Sequence, residues 1–402
     1  MNLKWLKKWH GGTALGWFVR VLLWTTALGW FVRVLLWTAA ASVLLMVMVW
    51  RVDPFLYYRK PGFFTHTYSS SNARHMLPGM LRHFEYDSVV AGNSQSQNFA
   101  LAEVRDVLGW ANPVKATVPA SYPAAIRRFL EIAFAHRELK NVFVGVTLTQ
   151  YRAPVDYIDR ALDPYLYEPH WTTSFQYLMN SDVAFGRMPK NLLLSLGIGT
   201  PRAMRRANPD NMFNLDYNEN RSRSFNAEKV KNAFIKRGGS TTAGERTTPD
   251  AMRYKEALRV NSLALIDAHP ETLFYMVLLP LPHVEWYKMR TEGCLDAMLE
   301  FTDWMARELI ARPNVALYDF VTLPEMTMNL DNFRDLAHFS PRVSHAILQH
   351  VGRGEQRVTT EDVATMIERL RWMSLPENVP DWAVATSLHE GSSEYTADAP
   401  EL

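Results

Sequence analysis

The chain reads Ser88-Val-Val-Ala-Gly-Asn-Ser-Gln-Ser-Gln-Asn-Phe99 in its first quarter, and this stretch decides the fold. A short run of β-forming residues ends at Gly92-Asn93, and Ser94 follows at once. A strand that ends in this way places the next side chain at the carboxyl edge of a sheet, where open α/β folds bind their ligands. The pattern predicts a strand, then a serine loop whose backbone N–H groups lie near the Ser94 hydroxyl and could hold an oxyanion.

A second stretch supplies a base for this serine. A hydroxyl is a weak nucleophile unless a base lies within hydrogen-bond reach. Far downstream the chain reads Asp331-Asn-Phe-Arg-Asp-Leu-Ala-His-Phe-Ser-Pro341, in which Ser340-Pro341 predicts a helix N-cap and first turn. We expect Asp335 to orient His338 in the loop before that helix, so that Ser94, Asp335 and His338 form a catalytic set. Asp331 is the competing carboxylate, and its alternative role is a turn or helix cap.

Together these stretches resemble the SGNH (GDSL-like) hydrolase and acyltransferase superfamily. The run Gly92–Phe99 is similar to a Gly-Thr-Ser-x-Thr-Glu-Asn-Phe block of membrane-anchored bacterial members. The run Leu330–Pro341 resembles their Asp-Asn-Tyr-x-Asp-x-x-His-Tyr-Ser-Pro block, and Asp163–Tyr167 resembles a segment between the two. The resemblance implies an α/β fold, a three-layer sandwich with a central, mostly parallel sheet, and serine-dependent acyl transfer without a cofactor.

The resemblance also implies further site residues. In SGNH proteins the loop after the second strand donates a backbone N–H to the oxyanion, usually from a glycine, and Ala120-Ser121 stand there in this chain. The N–H survives that change, but a positive φ would be costly for alanine. The family places an asparagine after the third strand, where this chain has Thr147, Thr149 and Gln150.

Three more residues complete the candidates for oxyanion or substrate contacts, in addition to Ala120, Ser121 and Gln150. Asn93 and Asn98 lie in the serine loop, and Asn98 is expected to hydrogen-bond that loop. His283 follows a predicted strand, where substrate-lining residues gather, and a plain turn histidine is the alternative.

The amino-acid composition limits the classes of function that this protein can have. Of the 402 residues, 48% are hydrophobic and 21% charged, as in ordinary globular proteins. A net charge of +2 and the lack of a basic block with interleaved aromatics argue against a nucleic-acid partner. The single cysteine, Cys294, excludes an intramolecular disulfide and a cysteine-based zinc site. We expect no metal and no cofactor.

The N-terminus predicts a membrane anchor. The 13 residues Thr13–Thr25 are repeated unchanged as Thr26–Thr38, and Val34–Trp50 carries no charge. Those 17 residues span about 26 Å as a helix, close to the thickness of a hydrocarbon core. A cleavable signal peptide is the alternative, disfavoured because Val43–Trp50 stays apolar beyond the candidate cleavage site. Cationic residues precede the span: Lys4, Lys7, Lys8, Arg20 and Arg33. The positive-inside rule then predicts a single-pass protein of the inner (cytoplasmic) membrane, with its N-terminus in the cytoplasm and its main domain periplasmic.

The rest of the chain alternates apolar strand-like runs with helical periodicity, which predicts a parallel sheet covered on both faces. We expect the anchor over residues 1–51 and an irregular approach over 52–85. The SGNH-like catalytic domain follows over 86–373, with an inserted lid at about 151–250, and a flexible acidic tail covers 374–402.

These observations predict a membrane-anchored O-acyltransferase or esterase acting on an exported or cell-envelope polysaccharide. The related anchored proteins of alginate O-acetylation and D-alanyl transfer work beside a multi-spanning membrane acyltransferase, so the resemblance implies such a partner. The alternative is a non-catalytic glycan-binding or assembly subunit of a polysaccharide export or modification complex. The departures at Ala120-Ser121 and Thr147–Gln150 motivate that alternative.

Overall fold

A computed structural model describes residues 14–68, 72–159, 162–168, 170–205, 207–208, 225–237 and 249–390. Within these residues there are five strands: β1 (Ser88–Gly92), β2 (Pro113–Thr117), β3 (Asn141–Val146), β4 (Leu273–Leu278) and β5 (Val315–Asp319). They form one parallel sheet in the order β2-β1-β3-β4-β5. The predicted α/β class with a parallel sheet is therefore confirmed.

Each strand is short and almost wholly buried, because its apolar side chains point to both faces of the sheet. Val89 and Ala91 of β1 pack into one apolar cluster, and Val90 between them packs into the other. The register pairs Val90 with Lys115 of β2 and with Phe143 of β3. Burial on both faces fixes this register, since a slip by one residue would exchange the two faces.

The strand order places a topological switch point at the centre of the sheet. Strand β2 lies on one side of β1 and strand β3 lies on the other. The connections that leave the carboxyl ends of β1 and β3 therefore run in opposite directions. Open α/β sheets bind ligands in the crevice at such a point. The Ser94 loop follows β1 and Thr147 follows β3, so both lie at this crevice.

Helices connect the strands. The first group comprises α1 (Ala14–Val52), α2 (Ala73–His83), α3 (Leu101–Leu108), α4 (Pro123–His136), α5 (Pro164–Tyr167), α6 (Trp171–Met179), α7 (Met188–Ser195) and α8 (Pro201–Arg205). The second group comprises α9 (Ala227–Lys236), α10 (Ala251–Leu258), α11 (Ala264–Ala268), α12 (His283–Thr291), α13 (Leu295–Ile310), α14 (Pro324–Thr327), α15 (Pro341–Gly352), α16 (Asp362–Met373) and α17 (Asp381–Glu390). Short 3₁₀ turns span Ser96–Asn98, Leu148–Arg152, Leu330–Asn332 and Pro376–Asn378, and π-helical turns span Asp182–Arg187 and Arg259–Leu263.

The N-terminal helix α1 is continuous over 39 residues, from the first copy of the 13-residue repeat to the start of the domain. Within the described part of the chain, one stretch of it, Thr25–Val52, is long and apolar enough to cross a membrane. The prediction of one such N-terminal helix is confirmed by length and composition.

The prediction of an irregular approach over 52–85 is wrong for its second half, which forms α2. Pro78 lies inside this helix and cannot donate to the carbonyl of Arg74. The Tyr167 hydroxyl donates to that carbonyl at 2.7 Å instead. Gly79 lets the helix approach the preceding segment, since a Cβ there would lie 2.3 Å from the carbonyl oxygen of Leu56. These contacts are long-range, and the local sequence does not reveal them.

The flexible tail predicted over 374–402 is wrong for residues 374–390. They continue from α16 through a 3₁₀ turn into α17. Val379 and Ala383 are buried, and Trp382 packs edge-on against Phe234 of α9 at 5.5 Å. This apolar burial orders an acidic segment that its composition alone would leave free. Residues 391–402 lie outside the described residues.

The segment predicted as a lid, at about 151–250, divides into two described parts. Its helices α6 and α7 pack against α1. Its helix α9 packs beside the loop that carries His338, where Asn226 N–H donates to the carbonyl of Phe333 at 3.0 Å. Residues 160–161, 169, 206, 209–224 and 238–248 of the predicted lid lie outside the described residues.

Candidate active site

Ser94 occupies the first turn after β1, at the central crevice. Gly92 ends the strand with φ 145°, a conformation that side chains other than glycine rarely adopt. Asn93 then closes the turn, because its Oδ1 accepts the Gln95 N–H at 2.9 Å and its Nδ2 donates to Thr147 Oγ1 at 2.9 Å. The turn holds Ser94 half-buried at the opening of the crevice.

His338 and Asp335 reach Ser94 from a loop 244 residues downstream. Ser94 Oγ lies 2.7 Å from His338 Nε2. His338 Nδ1 lies 2.8 Å and 3.0 Å from the two carboxylate oxygens of Asp335. A carboxylate only accepts hydrogen bonds, so Nδ1 carries the proton and Nε2 is left to accept the hydrogen of Ser94. The structure therefore brings the three predicted catalytic residues into one hydrogen-bonded line.

Asp335 is held charged by its surroundings. Burial acts to raise the pKa of this carboxyl, but the hydrogen bond from the His338 ring and the electrostatic interaction with it outweigh burial. The backbone N–H groups of Ala337 and His338 also donate to Asp335 Oδ1, at 2.9 and 2.8 Å. The net result is a pKa well below its ordinary value of 3.8. Arg334 also pairs with Asp335, at 3.3 Å.

Two amide side chains connect the loop that carries Ser94 (the serine loop) to the loop that carries His338 (the histidine loop). Gln95 Nε2 donates to the carbonyl of Ala337, and Asn98 Nδ2 donates to the carbonyl of Phe339 at 3.2 Å. Both bonds flank His338, so they fix the distance between the two loops. Gln95 also accepts a hydrogen bond from Thr147 Oγ1. Asn98 thus bonds the histidine loop, where the sequence suggests only a contact within its own loop.

Gln95 and Gln97 are buried residues that their polarity alone would place on the surface. The signal for Gln95 is its position directly after the serine, at a strand end where loops converge. Gln97 takes part in a second contact that holds the serine loop, because its backbone carbonyl accepts a hydrogen bond from Nζ of the buried Lys115 at 3.0 Å. Lys115 gives no sequence signal beyond a lysine within a buried strand.

The Ser96 side chain, within the serine loop, packs against the backbone of β1 and β3. A Cβ built at Gly145 of β3 would lie 2.1 Å from Ser96 Oγ, and one at Gly92 would lie 2.2 Å from it. Both glycines therefore leave the space that the Ser96 side chain fills. Its hydroxyl is buried without a hydrogen-bond partner among the described residues.

The loop after β2 adopts the conformation that its alanine was expected to resist. Ala120 has φ 57°, in the left-handed region, and it is half-exposed. Ser121 beside it is buried, and its hydroxyl has no partner within the described part of the chain. The Arg74 guanidinium donates to the carbonyl of Pro119 at 3.5 Å and steadies the start of this loop.

Three other candidates have different surroundings. Gln150 is half-exposed and lines a small cavity with Thr147 and Asn261. His283 is buried, with Nδ1 3.2 Å from the carbonyl oxygen of Thr327, and its role as a substrate-lining residue stays a prediction. Burial also lowers the pKa of its imidazole. Asp331 accepts the Ala227 N–H at 2.9 Å at the start of α9, which agrees with its alternative role as a cap.

Among the described residues, no three His, Cys, Asp or Glu side chains converge as metal ligands would. Comparison of the chain with protein-family models and with curated proteins found no match. The likeness to the SGNH superfamily therefore rests on the motifs of this chain.

Proposed function

We propose that this protein is a membrane-anchored serine O-acyltransferase or esterase of the SGNH type. The main support is the hydrogen-bonded line from Ser94 Oγ through the His338 ring to Asp335. This arrangement is the one by which a serine hydroxyl becomes nucleophilic at neutral pH. The line lies at the switch point of a parallel sheet, where ligands bind in folds of this class.

The chemistry follows from the proton positions. His338 Nε2 takes the proton of Ser94 as Oγ attacks an ester carbonyl carbon, and Asp335 stabilises the imidazolium that forms. Collapse of the tetrahedral intermediate breaks the ester C–O bond, and His338 returns the proton to the leaving alcohol. A second hydroxyl then attacks acyl-Ser94 with His338 as base, the bond between the acyl carbon and Ser94 Oγ breaks, and His338 returns the proton to Ser94. A sugar hydroxyl gives a new ester, and water gives the free acid.

The backbone N–H groups of Ser94 and Ala120 are the proposed oxyanion donors. The left-handed φ of Ala120 supports this role, because it is the conformation a glycine would adopt without strain. Thr147 and Gln150 stand where the family has its asparagine. The side chain of Thr147 already bonds Asn93 and Gln95, so we assign it to the support of the serine loop.

The resemblance extends the proposal to architecture, place and substrate. The fold is then the three-layer sandwich of the SGNH superfamily, and α1 crosses the inner membrane with its N-terminus in the cytoplasm. The main domain lies in the periplasm, with an exported or cell-envelope polysaccharide as acceptor. A multi-spanning membrane acyltransferase is the proposed source of the acyl group. The five cationic residues before the apolar span support this orientation.

The test uses the full chain in detergent. A fluorophosphonate probe should label the wild-type protein, and an acetyl ester should leave one acetyl group on Ser94, detected by intact mass. Ser94→Ala and His338→Ala should abolish both signals. Ser96→Ala is the matched control, since it removes a neighbouring serine hydroxyl that is buried, and it should keep both signals. Retention of glycan with neither label nor adduct would favour the non-catalytic subunit instead.

A further inference from the structure

The end of α1 is packed into the domain rather than joined to it by a linker. Leu45, Val49 and Val52 lie on one face of the helix, and Val49 and Val52 are buried. Helix α1 contacts α6, α7 and the π-helical turn Asp182–Arg187, and Val49 shares an apolar cluster with Tyr177 and Val183, against which Leu45 also packs. Leu45 and Val49 belong to the apolar stretch proposed to cross the membrane. The helices that they touch must therefore lie at the level of the outer end of that stretch.

The buried side chain of Asp53 fixes the orientation of α1 relative to α6. Asp53 follows the helix with φ 49° and accepts hydrogen bonds from the backbone N–H groups of Tyr57, Tyr58 and Arg59. The Tyr177 hydroxyl of α6 also donates to Asp53, at 3.0 Å, and accepts the Phe55 N–H at 3.1 Å. The domain therefore does not swing freely about the helix end.

The same helices expose large apolar side chains to solvent. Trp171, Phe175 and Met179 lie four residues apart on α6 and form a stripe on its outer side, while Tyr177 faces the core. Trp171 is 77% exposed, Phe185 in the π-helical turn 71% and Leu196 after α7 74%. We call Trp171, Phe175, Met179, Phe185, Leu193 and Leu196 the apolar platform. The π-helical turn contacts both α6 and α7, and large exposed apolar side chains on adjoining elements mark an interaction surface.

We propose that the apolar platform lies in the interface of the bilayer that α1 crosses, on the side of the main domain. This inference rests on the proposed membrane topology of α1. From Leu45 to Trp50 the helix rises about 7.5 Å, so elements packed on these turns would enter the membrane by that depth. Amphipathic helices at a membrane surface bury their apolar faces to about 5–10 Å. The two depths agree.

The surroundings of the platform favour lipid over a protein partner. The face of α1 that does not pack on the domain exposes Val43, Leu44 and Val47 and is proposed to face lipid, and the helices α6 and α7 that carry most of the platform pack against α1. The segment after α1 supplies the residues of an interface. Trp50 lies under the Arg59 guanidinium at 4.2 Å, Phe63 is exposed, and Arg51 and Lys60 add exposed positive charge.

This placement would hold the candidate active site close to the membrane. Phe55, just after α1, stacks on His75 of α2 at 5.1 Å. The neighbouring Arg74 donates to Pro119 in the loop of Ala120. Few contacts therefore separate the helix end from the proposed oxyanion loop. The acyl group would be received near the bilayer surface, where a membrane-embedded donor presents it.

The experiment places single cysteines in the full chain with Cys294→Ala, in phosphatidylethanolamine–phosphatidylglycerol nanodiscs that hold one copy each. Phe175→Cys and Leu196→Cys probe the platform, and Leu36→Cys probes α1. Trp372→Cys is the matched control, an exposed aromatic position on α16, which packs on α12 and α13. An environment-sensitive fluorophore on each cysteine is exposed to doxyl-labelled lipid or to aqueous iodide.

The labels at positions 175, 196 and 36 should lose most of their fluorescence to doxyl lipid and little to iodide, with the reverse at 372. If position 36 is quenched by lipid while 175 and 196 behave like 372, the platform faces water and the proposal is overturned. Shielding of 175 and 196 from both quenchers would mean that protein covers the platform, which also overturns it. Lack of lipid quenching at position 36 would refute the topology and the platform with it.

Discussion

The packing of Ser96 against Gly145 predicts that one methyl group on β3 will disturb the serine loop. In Gly145→Ala the new Cβ would lie 2.1 Å from Ser96 Oγ, 2.9 Å from Leu279 Cδ1 and 3.3 Å from Ser96 Cβ. The Leu279 methyl is the end of a flexible side chain and can move. Ser96 begins the 3₁₀ turn Ser96–Asn98, and even if its hydroxyl rotates away, its Cβ stays 3.3 Å from the new methyl group unless that turn moves.

Overpacking of this kind costs about 1–3 kcal/mol of unfolding free energy. The loss of a glycine from the unfolded chain offsets about 0.4–1 kcal/mol of that. Ser96→Ala removes a buried hydroxyl without a partner among the described residues, so alone it should be neutral or stabilising by up to about 1 kcal/mol. It also removes the shortest contact. The double variant should therefore recover about 1–2 kcal/mol relative to the sum of the single changes.

The assay is a double-mutant cycle on the full chain in detergent, with denaturant unfolding and the rate of fluorophosphonate labelling as readouts. A shift of Ser94 by about 1 Å should slow labelling by on the order of 10²-fold in Gly145→Ala, and Ser96→Ala should restore most of it. Gly62→Ala is the control, because a Cβ there meets nothing within 4 Å. Equal penalties for Gly145→Ala with and without the Ser96 hydroxyl would refute the reasoning.

Three further predictions concern Asp335, Ala120 and Tyr177. Asp335→Asn should slow labelling of Ser94 by roughly 10⁴-fold, because an amide does not stabilise the imidazolium. Since the folded protein holds the pKa of Asp335 below 3.8, this charge stabilises the fold above that pH and the benefit fades as pH falls. When the pH is lowered from about 6 to about 3, the denaturant midpoint of unfolding should therefore fall less in Asp335→Asn than in the wild type. An equal fall in both proteins would contradict this. Ala120→Gly should relieve about 1–2 kcal/mol of strain from the left-handed backbone conformation. The added freedom of glycine in the unfolded chain should cost about 0.4–1 kcal/mol of unfolding free energy, so the variant should be as stable as the wild type or more stable. A fall in unfolding free energy would count against strain at this residue. Tyr177→Phe should destabilise by about 1–3 kcal/mol and speed proteolysis after α1, because the Phe55 N–H loses its acceptor and Asp53 loses one of its donors; unchanged proteolysis would argue against a role of Tyr177 in fixing the helix.

The local sequence predicted the strands and the pairing of Asp335 with His338 because these signals are short-range. A run such as Val89–Ala91 before Gly92-Asn93 contains both the β-forming residues and the glycine that ends the strand. Asp335 and His338 lie three residues apart, so one loop suffices to bring them together. The prediction of one long apolar N-terminal helix likewise depends only on a run of apolar residues without charge.

Segments that depend on distant partners were predicted poorly. The tail after Met373 is acidic, yet α17 forms because Trp382 finds Phe234. Helix α2 contains a proline and a glycine, and it persists because Tyr167 satisfies the carbonyl that Pro78 leaves open.

By itself, the sequence determined the α/β class and the length of the apolar N-terminal helix, and it singled out Ser94, His338 and Asp335 as candidates. Each of these depends on residues within a few positions of one another. Only the tertiary structure decided that Ser94 meets His338 and that α6 and α7 pack against α1. Those contacts join residues more than a hundred positions apart. They are fixed by strand order and by the burial of side chains such as Val49 and Tyr177, which depend on the whole chain.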